Sequence, residues 1–255
     1  RASEAFEKME YLIEHGRQKA KGGKLCLPIF AKSQSGKSTI LETFAALKNS
    51  APDVRPRTIP VLLVTLEANA TRKALAQNIL EAIGDHGWET GSHTGTETIL
   101  LQRVRQLLKL ARTELLIVDE AHELVNSDSE KVAYSVGETF KRMLIKGVCP
   151  IVLSGVEKGR LIFKNEQLSQ RALPAVELAP LTPSNPSDLK LFFGFLAEYL
   201  KAMEAKGVAT NATALLNHEV AACLLEVSQG VLGAACNLLK EAVRVMTYEA
   251  HNDLE

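Results

Sequence analysis

Aromatic residues make up only 5% of this chain, with a single Trp, and neither sign of charge is in excess, 30 basic side chains standing against 30 acidic ones. That balance excludes a protein coated in basic charge, while leaving room for a local basic track. Trp88 and the few other aromatics form no stacking series of the kind that holds single-stranded nucleic acid. The four cysteines, Cys26, Cys149, Cys223 and Cys236, are scattered and lie mostly in apolar runs. With no Cys-x-x-Cys pair and no Cys/His ligand spacing, they read as buried, reduced thiols. His86, His93 and His122 likewise lack partners at ligand spacing. No apolar run is long enough to span a membrane and no signal peptide is evident, so a cytoplasmic location is expected. The chain opens on Arg1 rather than Met, so further terminal residues are expected. What is present is ordinary globular material: 255 residues, 46% hydrophobic and 24% charged, enough for a large domain with or without a small one.

The most informative stretch is Ala31-Lys32-Ser33-Gln34-Ser35-Gly36-Lys37-Ser38-Thr39. It follows the apolar run Leu25 to Phe30 and leads into a helical pattern, Ile40 to Leu47. Strand, tight loop, then Gly-Lys-Ser opening a helix is the architecture of a phosphate-binding loop. Backbone N–H groups of Ser33, Gln34, Ser35, Gly36, Lys37, Ser38 and Thr39 would face a polyphosphate, where the helix dipole also favours negative charge. Lys37 would reach the outer phosphates and the Ser38 hydroxyl would be a ligand of Mg²⁺. Ala31 stands where the strict motif has its first Gly. The competing reading is a chance Gly-Lys-Ser at a helix start.

A second segment works against chance. Glu114-Leu115-Leu116-Ile117-Val118-Asp119-Glu120 is a continuous apolar run ending in two acids, as in a Walker B strand. Asp119 is placed to hold the Mg²⁺ shell, and Glu120 is the candidate general base toward an attacking water. An ordinary buried strand with acids at its exposed end is the plainer alternative. Two segments in the right order, both strand-terminal, favour a nucleotide site.

The rest of the chain alternates strands and helices. Helices are predicted over 3–19, 71–83, 97–112 and 129–146, with further strands at Pro60–Leu66, Pro150–Gly155 and Ala175–Leu178. Alternation of this kind implies a five-stranded parallel sheet covered on both faces. The Pro-rich joint Pro180 to Pro186 then marks a boundary, and beyond it the pattern is helical over 187–205, 212–228 and 232–250. The expected division is an α/β nucleotide-binding domain at 1–182 and a small helical lid at 183–255.

These segments together resemble the AAA+ ATPases, and specifically the TniB/TnsC-like transposition regulators. The carriers are the two Walker segments, the run Ile117 to Leu124, the strand Ile151 to Gly155, the stretch Asn165 to Arg171, and Gly230 to Leu239. The resemblance implies the P-loop AAA+ three-layer sandwich with a C-terminal helical lid. It implies Ser154 at the sensor-1 position, touching the γ-phosphate or its water. It also makes Arg171 an arginine finger that acts on a neighbouring subunit's nucleotide, a contact worth ~10³–10⁵ in rate. Where many relatives place a sensor-2 Arg, this chain has Gly233, followed by Ala234 and Ala235, which implies slow, switch-like hydrolysis.

The family is similar in forming filaments on duplex DNA, so backbone-phosphate donors are expected. Two regions qualify: Asn69 to Lys73, and Ser92 to Thr96 followed by Arg103 and Arg105. Arg72, Lys73, Thr96 and Arg103 are the chosen contacts, against the plain reading of solvated helix faces. The implied function is ATP-dependent assembly on DNA, activation of a transposase with a target-selection protein, and disassembly on hydrolysis. The alternatives are another AAA+ switch (initiator-like or secretion-associated) and a nucleotide-binding scaffold with little hydrolysis.

Overall fold

The computed structural model describes residues 2–18, 23–52, 54–85, 95–125, 130–208 and 211–252. The loop positions His86, Trp88, Ser92, His93 and Thr94 lie outside the described residues. The chain packs as two compact units, one of Arg1–Ala31 with Lys37–Leu178, the other of Lys32–Gly36 with Ala179–Glu255.

The first unit is built on five strands: β1 (Cys26–Phe30), β2 (Val61–Thr65), β3 (Leu115–Asp119), β4 (Ile151–Gly155) and β5 (Val176–Glu177). They form one sheet in the order β2-β3-β4-β1-β5, and every pairing is parallel. Each of β1, β3 and β4 is buried along its whole length, which is why they read as unbroken apolar runs.

Period-two alternation sends successive side chains to two separate cores. Leu116, Val118, Ile151 and Leu153 enter the core covered by α3 (Arg72–Ala82), α4 (Glu97–Leu110) and α5 (Glu130–Lys146). Leu115, Ile117, Val152, Leu27 and Ile29 enter the other, under α1 (Ala2–Gln18) and α2 (Lys37–Asn49). The three-layer α/β sandwich inferred from the sequence is therefore present. Three elements escaped that reading: 3-10 helices at Ala121–Val125 and Glu157–Lys164, and the short α6 (Glu166–Ser169), capped by Asn165 accepting from the Leu168 N–H.

The second unit contains α7 (Pro186–Ala205), α8 (His218–Val227) and α9 (Leu232–Asn252) around Phe192, Leu196, Leu200, Leu225 and Ala235. Asn185 caps α7 through the Ser187 N–H, with Pro186 inside the first turn. The single helix expected over 212–228 is in fact a short 3-10 turn, Ala212–Leu215, followed by α8. Asn217 breaks it, because its side chain accepts from the Val220 N–H and starts a new helix. No single helix among the described residues is long and apolar enough to cross a membrane.

Loop residues Lys32–Gly36 pack with the start of α9. Gly233 donates its N–H to the Gln34 carbonyl at 3.0 Å, and Asn237 Nδ2 donates to Gln34 Oε1 at 3.3 Å. A Cβ on residue 233 would sit 2.5 Å from that carbonyl oxygen, so glycine is dictated by close approach. Gly233→Ala is expected to destabilise the second unit by about 1–3 kcal/mol, the cost of forcing backbone apart. An unchanged calorimetric transition for that unit would show the contact to be dispensable.

Burial pushes the Cys149 thiol up to about 12, and pushes Cys26 upward by the same desolvation. Unfolded thiols ionise near ~8.5, so above that pH the unfolded chain binds fewer protons than the native one, and stability falls. Each buried thiol is expected to remove about 1.4 kcal/mol per pH unit from there toward its native value. Urea midpoints measured from about pH 8.5 to about pH 10 should fall less steeply for Cys149→Ala than for the parent chain.

Candidate functional site

All five strands run the same way, so their last residues share one edge of the sheet, where crossover loops gather chemistry. In the first unit this edge carries Lys37 and Ser38 at the start of α2, Asp119 at the end of β3, Glu120 beyond it, and Ser154 near the end of β4. The strand β4 lies between β1 and β3, so the residues following β1 and β3 meet across its end. Ser38 Oγ donates to Asp119 Oδ2 at 2.6 Å, and the other carboxylate oxygen accepts from the Glu120 N–H at 2.9 Å. Asp119 and Lys37 are both buried, at 1% and 4% exposure.

Burying a lysine and an aspartate at one edge is costly unless charged or polar groups meet them. A hydroxyl and a carboxylate in contact form a pair of hard oxygen donors, the set that suits Mg²⁺. Ser154 Oγ is buried without a hydrogen-bond partner, and so is Ser35 Oγ in the loop. Buried hydroxyls of this kind are rare and point to a polar group that completes them. Gln34 and Gly36 take positive φ, 63° and 87°, which curls the loop backbone tightly ahead of α2. Within the first unit, Lys37, Ser38, Asp119 and Ser154 therefore fit an outer phosphate with its metal.

Glu120 sits at φ 54°, a left-handed conformation unusual for glutamate and one that no propensity in the sequence announces. Its carboxylate lies 3.1 Å from His122 Nδ1, while His122 Nε2 lies 3.3 Å from Glu123. Glu123 in turn accepts from the Asn69 N–H at 3.0 Å. His122 thus stands between two glutamates, on a 3-10 turn, Ala121–Val125, that follows the strand. Among the described residues no cluster of His, Cys, Asp and Glu is arranged to hold a metal by itself.

Arg171 is not brought to this edge. Its carbonyl accepts from the N–H of Cys26, the first residue of β1, and its guanidinium packs over Gly23. Cys26 and the phosphate loop lie at opposite ends of a five-residue strand, roughly 16 Å at ~3.3 Å per residue. Arg171 is therefore remote from its own chain's Lys37 and Asp119.

The four candidate DNA contacts fare differently. Arg72 donates to Ser135 Oγ at 2.6 Å and pairs with Glu97 at 3.3 Å. Arg103 forms a two-point pair with Asp85, at 2.5 and 2.8 Å, which holds its guanidinium more firmly protonated still. Lys73 is exposed with no ion-pair partner among the described residues, and exposed Thr96 begins α4 without using its hydroxyl as a cap. The sequence offered no sign that Asp85 or Glu97 would occupy the two arginines.

No curated protein matches the chain. Among solved structures it is similar to the Aeropyrum pernix ORC1 protein in complex with DNA, with a TM-score of 0.62 and 14% identity over 98% of this chain and 61% of that one. It is also similar to Drosophila ORC bound to DNA, with a TM-score of 0.59 and 14% identity over 94% of this chain and 59% of that one. Domain III of the Thermotoga maritima replication initiation protein DnaA superposes with a TM-score of 0.52 and 18% identity, over 97% of this chain and 85% of that domain. The chain thus spans about three fifths of the ORC chains. At these identities the likeness is one of fold, a parallel-stranded α/β domain of the same architecture. Residues 1–182 match the family of bacterial TniB proteins, and the chain belongs to that family.

Proposed function

We propose that this chain is an ATP-dependent regulator of DNA transposition that assembles on duplex DNA, engages a transposase and a target-selection protein, and disassembles when ATP is hydrolysed. The observation that carries the reading is the contact between Ser38 and Asp119 beside buried Lys37, within a member of the TniB family. In this mechanism the loop Ser33 to Thr39 binds the polyphosphate through its backbone N–H groups. Lys37 balances charge on the outer phosphates. Ser38 and Asp119 would hold Mg²⁺, which would supply positive charge to the phosphate oxygens. Glu120 orients water, and Ser154 hydrogen-bonds to the γ-phosphate or that water. Arg171, remote from its own site, serves the neighbouring subunit in an oligomer.

Two features support slow turnover. Glu120 is held in a left-handed turn with its carboxylate 3.1 Å from His122 Nδ1, and Gly233 puts no cation at the position where a sensor-2 Arg would stand. On the DNA side, Lys73 and the Thr96 hydroxyl are the freest donors; Arg72 and Arg103 join them only by exchanging their present acidic partners for phosphate. A helical lid at 183–255 belongs to the same proposal, with the nucleotide acting as a population switch between assembled and free subunits.

Lys37→Ala and Arg171→Ala are each expected to lower DNA-stimulated ATP hydrolysis by at least ~10²-fold. Mixing these two variants should restore part of the activity, because each supplies the half-site the other lacks. Glu120→Gln should bind ATP, stop turnover and give long-lived assemblies on DNA in electron microscopy. Monomers persisting with duplex DNA and a non-hydrolysable ATP analogue would sink the assembly reading, and an unaltered Glu120→Gln rate would sink the mechanism.

A further inference from the structure

At the other edge of the sheet, where β2 and β3 begin, lies a cavity of about 340 Å³ lined by Arg17, Lys48, Arg55, Thr58, Arg112 and Glu114 among others. Four cations and one carboxylate share this hollow in a chain whose formal net charge is zero. Its volume falls within the ordinary range for small-ligand sites, about 300–1,000 Å³. It is far from Asp119: Glu114 immediately precedes β3 and Asp119 ends it, a span of roughly 16 Å at ~3.3 Å per residue.

The cations are of two kinds. Arg17 and Lys48 stand in the last turns of α1 and α2, where positive charge complements the helix dipole. Both are also paired, Arg17 with Glu114 at 2.6 and 2.7 Å and Lys48 with Glu10 at 2.5 Å. Helix ends and ion pairs account for these two. Arg55 and Arg112 are different, because each lies in a loop, exposed, with no ion-pair partner among the described residues. Their backbone positions are nevertheless fixed. Ile59 N–H donates to the Ala111 carbonyl at 2.9 Å and Glu114 N–H to the Pro60 carbonyl at 2.8 Å, which stitches the Arg55 loop to the Arg112 loop. Thr58 closes the turn by donating to the Arg55 carbonyl. Asn49, at the end of α2, grips the first residue of β2 through both its N–H and its carbonyl.

Two guanidinium groups with no ion-pair partner among the described residues, on a braced frame and with Lys48 beside them, supply the kind of donors that bind tetrahedral oxyanions. We propose that this cavity is a second anion site, separate from the phosphate loop, that takes a phosphate-bearing ligand. A free polyphosphate and the phosphodiester backbone of nucleic acid present the same chemistry to it.

The test uses inorganic pyrophosphate as the probe and the full chain carrying Lys37→Ala, so that the phosphate loop contributes little. Calorimetric titration is expected to detect binding that weakens as salt is raised. Adding Arg55→Gln with Arg112→Gln should lower that affinity at least ~10-fold, and Lys48→Gln on its own should lower it less. Because Arg55 and Arg112 are exposed loop residues, the thermal transition should be retained. Displacement of pyrophosphate by duplex DNA would identify the backbone as the natural ligand. Displacement by nucleotide but not by DNA would identify a free polyphosphate. Absence of pyrophosphate binding in the Lys37→Ala chain, or binding indifferent to Arg55→Gln with Arg112→Gln, overturns the proposal. Either result leaves the reading of the phosphate loop itself untouched.

Discussion

The bond from Ser38 Oγ to Asp119 Oδ2 spans the end of β4 and joins the start of α2 to the end of β3. It exists only because β1, β3 and β4 are parallel and in register, so that segments 81 residues apart end at the same edge. Every other feature of that edge is arranged around it. The second Asp119 oxygen holds the Glu120 N–H, which fixes the turn out of the strand, and that turn sends Glu120 toward His122. This buried carboxylate has a hydrogen-bond donor at each oxygen, and Lys37 is buried at the same edge.

The sheet divides its two edges by charge. One collects acids and hydroxyls at the ends of β3 and β4, with Lys37 as their counter-charge; the other collects cations where helices end and strands begin. The second pattern follows partly from helix dipoles, since helices that cross back over a parallel sheet end beside the strand starts. A net charge of zero over the whole chain therefore conceals two local fields of different character.

What could be read from the sequence was whatever burial writes into it. β1, β3 and β4 are enclosed on both faces and so announce themselves as apolar runs, and Ser38 and Asp119 are named by their place at the ends of such runs. Short elements carry no such period, which is why Glu157–Lys164 and Glu166–Ser169 escaped, and why Asn217 was passed over as a helix breaker. The pairing of Arg103 with Asp85 is tertiary and leaves no trace in spacing. Gly233 is the most instructive case. From sequence it is a position lacking an arginine; in three dimensions it is a position where only hydrogen fits against the Gln34 carbonyl. The φ of Glu120 belongs to the same class, being set by its surroundings against the residue's own preference.

The packing of Lys32–Gly36 with residues beyond Ala179 makes the chain's order in space differ from its order in sequence. In the connector between β1 and α2, Gln34 has its partners some two hundred positions downstream, at Gly233 and Asn237. The family match ends at residue 182, so it includes this connector but not the surface on which the connector rests. Segments exchanged between relatives at that point would part the two, and a chimera would inherit the loop from one ancestor and its support from another. Inheritance here travels in a unit that is discontinuous along the chain, because the backbone of Gln34 and the missing side chain of Gly233 are two halves of one contact.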